Sequence, residues 1–113
     1  MAKSIDLTFL NSFTGGNQEK KKKYINMFLS YCPGQLTIMN EHLTSGNYDG
    51  LRATAHALKP QIIYMGIQGG EDLIKKIENM AGTRTEVEKL PEMLKNFTNL
   101  SEDAIKELKA EIE

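Results

Sequence analysis

His56 and the residues at helical spacing around it are the part of this sequence best equipped for chemistry. Wound at about 100° per residue, Leu51, Ala55, Leu58, Ile62 and Met65 form one apolar stripe, and Arg52, His56, Lys59, Ile63 and Gly66 fall together on a flank beside it. An imidazole therefore stands at a helix surface, with a guanidinium one turn before it, an ammonium one turn after it and a glycine further along. A neutral imidazole nitrogen can act as a nucleophile, whereas the protonated ring has no lone pair to offer, and an ordinary histidine is mostly neutral at pH 7. The Lys59 ammonium favours the neutral ring further and could then attract an anionic group placed on it. Taken alone, a histidine in such a setting is more often a solvated side chain on an amphipathic helix. His42 lacks comparable neighbours and reads as structural or solvated.

The surroundings of His56 change that balance. Ala55-His56-Ala57-Leu58-Lys59, followed ten residues after the histidine by Gly66 with Met65 before it, resembles the histidine-containing phosphotransfer (HPt) domain of two-component phosphorelays. Ala55, His56, Leu58, Lys59, Met65 and Gly66 match that motif, while Pro60 stands where the family usually has glycine and Ile63 where a small residue is common. The resemblance implies a four-helix bundle that carries a phosphoryl group on His56, with Lys59 stabilising the phosphoryl group. It also implies partners, namely response regulator receiver domains and a hybrid sensor histidine kinase. The chain needs no cofactor of its own, because the receiver brings the aspartate and the Mg²⁺. Phosphoryl transfer is dominated by positioning and charge neutralisation, so the carrier has little catalysis of its own to perform and no independent turnover. Arg52, Ile63 and Gly66 would serve partner docking: glycine permits close approach, isoleucine offers apolar contact and arginine a supplementary phosphate or receiver contact. Two rival functions keep the same fold: a module that docks a receiver without relaying phosphate, and the phosphotransfer domain of a chemotaxis-type histidine kinase.

A helix carrying that stripe needs cover from others, and the rest of the chain supplies it. The pattern predicts an all-α fold, an antiparallel four-helix bundle with a short N-terminal capping helix, in a single domain over 1–113. The short helix spans 5–13 and ends at Gly15-Gly16, and the long helices span about 18–45, 48–65, 71–81 and 90–111. Asn17 and Asn47 are the expected N-caps of the first two long helices. Pro33 should kink or break the first of them, while Pro60 points away from the core stripe, where a bend would be tolerable. Gly82 reads as the C-terminal stop of the third. Pro91 suits the first turn of the last, and Thr85 to Glu88 match a capping box that could start it earlier.

Composition closes off several other functions. With 113 residues, a net charge of -1 and a pI near 6.1, the chain has no global field to hold a polyanion and no room for a second domain such as a kinase catalytic domain. Nucleic acid and membrane are therefore not expected partners, and the Lys20 to Lys23 run reads as a solvated helix start. The single cysteine, Cys32, and the lack of an apolar leader at the N-terminus point to the cytoplasm, and a monomer is expected. A di-metal bundle needs carboxylates three residues before its histidines, and those places hold Ala53 and Met39. The methionines at helical spacing, Met27, Met39, Met65 and Met80, read as core filler, and Tyr31 and Tyr64 as packing residues with hydroxyls near the surface.

Overall fold

Asn17 and Asn47 do start the two helices that carry most of the architecture. In the computed structural model, which describes residues 5–112, Asn17 accepts a hydrogen bond from the Lys20 backbone N–H at 3.0 Å and Asn47 one from the Gly50 N–H at 2.9 Å. Each satisfies a donor that the first helical turn leaves without a partner. The elements are α1 (Thr8–Phe13), α2 (Gln18–Thr44), α3 (Tyr48–Tyr64), α4 (Gly70–Thr83), a 3-10 turn (Val87–Lys89) and α5 (Leu90–Ile112). The expected absence of an N-terminal leader concerns residues that begin outside the described range. Among the described residues there is no named strand, and no helix is long and apolar enough to cross a membrane.

Successive long helices pack side by side, α2 on α3, α3 on α4 and α4 on α5, and α5 returns to α2 to close the ring. Short connections make neighbours antiparallel. The core lies along the common axis, with Phe28, Met39, Leu51, Leu58, Ile62, Ile74, Ile77, Leu94 and Phe97 all fully buried. Ile25 and Cys32, rather than Tyr24 and Tyr31, occupy the innermost positions of α2. Burial pushes the Cys32 thiol up to about 12, which removes it from thiolate chemistry.

At Pro33, where a kink or a break is expected, α2 runs on as one helix, the proline sitting on an exposed turn of a 27-residue element held on its other side by the core. Four sequence expectations are corrected. The N-terminal helix begins at Thr8 rather than residue 5: Ile5 is buried as an antiparallel bridge partner of Ile67, and Asp6 accepts from the Thr8 N–H at 3.0 Å and the Thr8 hydroxyl at 2.6 Å, fixing the first turn there. Those bonds hold the Asp6 carboxyl below its ordinary range. Gly82 does not stop α4, which continues to Thr83 and ends on Arg84 in the left-handed region at φ 55°. The capping box does not form either; Glu86 takes a left-handed conformation, makes no capping bond, and a separate 3-10 turn precedes α5. Met27, read as core filler, is an exposed residue of α2.

Candidate functional site

The flank of α3 that faces α4 holds the candidate residues. α3 and α4 are the most extensively packed pair, joined by the tight connection from Met65 to Gly69. Antiparallel packing across that turn brings Glu78 of α4 opposite His56, and one turn further along it brings Gly82 opposite Arg52.

Glu78 joins the site together. One carboxylate oxygen lies 2.6 Å from His56 Nδ1 and the other accepts from the Lys59 ammonium at 2.7 Å. The Glu78 side chain is 17% exposed and that of Lys59 25%, while the His56 side chain is 67% exposed. Partial burial works against ionisation of Glu78, yet the hydrogen bonds and charges of Lys59 and His56 outweigh it and hold the carboxyl below its ordinary value. An ionised carboxylate can only accept, so Nδ1 must carry the proton in the hydrogen bond. The lone pair of the neutral ring then resides on Nε2, at the opposite edge of an exposed imidazole.

This arrangement changes the part assigned to Lys59. From the sequence, its ammonium faces His56 directly; in the structure a carboxylate stands between them and takes the ammonium's hydrogen bond. Lys59 keeps Glu78 charged and in place, and the histidine's nearest charged neighbour is an anion. Arg52 lies exposed with its stem across Gly82: a Cβ built on that glycine would stand 2.6 Å from Arg52 Cδ. Arg52, Lys59, Lys75, Glu78, Asn79, Gly82 and Thr83 line one shallow hollow beside the histidine.

Ile63 is 36% exposed, two turns after His56. Beyond it the surface continues as a stack of exposed rings, Phe9 on Tyr64 at 5.5 Å and Phe13 on Tyr64 at 6.0 Å between centroids. Gly66 is placed differently from its expectation. It lies past the end of α3 at φ 60°, its carbonyl accepts from the Asp6 N–H at 2.8 Å, and a Cβ there would meet the Asp6 carbonyl oxygen at 1.8 Å. The close approach this glycine permits is that of the chain's own N-terminal segment. His42 packs against Gly50 at the α2–α3 turn, where the Asn47 amide lies 3.2 Å from its Nδ1.

Glu78 is the site residue that the sequence did not single out. Its signal was there: it borders the apolar face formed by Ile74, Ile77 and Ala81, on the side that turns toward α3.

Comparison with known proteins bears on this geometry. A family model described as the Hpt domain matches residues 23–113. No curated protein matches the chain. Its fold is similar to the crystal structure of histidine-containing phosphotransfer protein B from Pseudomonas aeruginosa PAO1, with a TM-score of 0.87 at 21% identity over 99% of this chain and 96% of that one.

Proposed function

The chain belongs to the Hpt domain family, and from that premise we propose that it relays a phosphoryl group between receiver-domain aspartates through phosphohistidine at His56. The observation that carries this reading is the 2.6 Å contact between Nδ1 and the ionised Glu78, which leaves Nε2 as the nucleophile of a largely exposed ring. When a receiver presents its aspartyl phosphate, the Nε2 lone pair attacks phosphorus, an N–P bond forms, and the P–O bond to the aspartate breaks with its electron pair leaving on the carboxylate. No proton has to move. The positive charge that develops on the ring is met by Glu78 through Nδ1–H, and Lys59 holds that carboxylate from its other side.

The partners proposed are receiver domains, with a hybrid sensor histidine kinase upstream, and Mg²⁺ held by the receiver. Ile63, with Tyr64, Phe9 and Phe13 beyond it, offers the apolar surface on which a receiver could seat while its aspartate reaches His56. The test is transfer of label from a phosphorylated receiver with Mg²⁺, run against a panel of receivers. Acid-labile, base-stable phosphoprotein is expected from the wild type and none from His56→Gln. A labelled His56→Gln variant would place the acceptor elsewhere, and a wild type that binds receivers without taking label would make the chain a docking module. A chain labelled only by a kinase with ATP would be the chemotaxis-type phosphotransfer domain.

A further inference from the structure

The phosphoryl group adds negative charge beside Glu78, and something positive must face it. Lys59 already donates to Glu78, and Lys75 pairs with Glu71 at 2.7 Å one turn along α4. Arg52 is different: among the described residues its guanidinium has no hydrogen bond or ion pair, although its stem is held. The holder is Gly82. A glycine inside a helix is less favourable than alanine, and at φ within the helical range this one is not needed for backbone shape. What its bare Cα provides is room, since a Cβ would press on Arg52 Cδ at 2.6 Å.

We infer that Arg52, seated across Gly82, is the group that binds the phosphoryl oxygens once Nε2 of His56 is phosphorylated, an inference that rests on the relay reading above. Side chains of a helix lean toward its N-terminus, so the His56 ring tilts toward the turn that carries Arg52. Nδ1 is turned to Glu78, and Nε2 with its phosphoryl group projects away from that carboxylate. The guanidinium fork suits a phosphoryl group better than an ammonium does, because two parallel N–H donors can meet two oxygens. Before phosphorylation the arginine waits over the hollow; afterwards it has a partner. Gly82 is thus a positioning residue for a group on another helix, which explains why α4 carries a glycine next to its last residue without stopping there.

The experiment uses the full chain phosphorylated with the small donor phosphoramidate, and follows the second ionisation of the phosphoryl group by ³¹P titration. A neighbouring guanidinium favours the dianion, so Arg52→Ala should move that ionisation up by roughly half a unit to one unit. Gly82→Ala should move it in the same direction while thermal unfolding stays unchanged or rises, and the double variant should add nothing further. Arg52→Lys should restore part of the shift. Transfer back to a receiver should change by about fivefold in the Arg52→Ala protein. If Arg52→Ala leaves the titration where it was, or alters only receiver-driven transfer, the arginine does not touch the phosphoryl group and the inference fails. A Gly82→Ala protein that titrates as wild type removes the seat. Absence of any phosphohistidine signal in the wild type would instead sink the relay reading, and this inference with it.

Discussion

Replacing Glu78 by glutamine tests the site where it departs most from expectation. The substitution keeps volume and hydrogen-bonding capacity but removes the charge, and the amide can turn its NH₂ toward Nδ1 and so favour the tautomer whose Nε2 carries the proton. A hydrogen bond to a charged group contributes on the order of 1.5–3 kcal/mol. The 2.6 Å contact is short, but the histidine side chain is 67% exposed, and solvent screening argues for the lower end of that range. About 1.4 kcal/mol of lost transition-state stabilisation corresponds to about a tenfold slower step, and the tautomer penalty adds to it. Single-turnover transfer from a phosphorylated receiver should therefore fall by roughly 10- to 30-fold in Glu78→Gln, with helical content by circular dichroism unchanged. A rate within about twofold of wild type would mean that Glu78 neither orients the ring nor meets its developing charge, and the mechanism built on Nδ1–H would have to be abandoned.

The other predictions follow from the same contacts. Lys59→Ala should slow transfer less than Glu78→Gln, by about threefold, and the two changes should be non-additive if the lysine acts through the carboxylate; additive losses would restore a direct role on the phosphoryl group. Because Glu78 has a depressed folded value, its contribution to stability is present above the unfolded glutamate value near 4.5 and is lost as pH falls through the lower folded one. Urea titrations should accordingly find wild type more stable than Glu78→Gln at pH 7, with the gap closing in acid. Gly66→Ala must break the Asp6 bond or strain a left-handed residue, costing about 2–3 kcal/mol, and thermal unfolding should fall by roughly 8–12 °C. An unchanged midpoint would show that the N-terminal segment contributes little to the fold.

Periodicity in the sequence reached the bundle because each long helix carries a stripe that has only one good use. The α3 stripe from Leu51 to Met65 is buried as read, and Asn17 and Asn47 cap where their side chains have donors to satisfy. The errors share a different origin: they concern glycines and charges whose role is set by another segment. Gly82 looked like a stop because glycine often ends a helix, but Arg52 comes from a helix thirty residues earlier, and nothing local announces it. Gly66 meets Asp6, which lies sixty residues before it in the sequence. The role of Glu78 is hidden in the sequence for the same reason. Its pairing with His56 depends on the register of α3 against α4, which follows from where each helix ends and how the two are rotated about their axes, and a shift of one residue in either would turn the carboxylate away.

The placement of a carboxylate, rather than a second cation, beside the histidine bears on what a carrier has to achieve. A site that stabilised only the phosphorylated state would accept the group and keep it. In the proposed relay Glu78 would act instead on the ring's positive charge, which develops as the N–P bond forms and is present again while it breaks, so by microscopic reversibility it would speed departure as much as arrival. A ring that keeps its Nδ1 proton against the carboxylate leaves phosphorus as a neutral imidazole rather than an anion, which makes it the better leaving group in the onward step. Lys59 then serves the same end from behind, since a protonated Glu78 could no longer hold the Nδ1 proton. On this view Arg52 sets how long phosphoryl stays and Glu78 how easily it crosses. Measured forward and reverse rates should separate the two: Glu78→Gln slows both directions alike, whereas Arg52→Ala shifts their ratio toward the receiver.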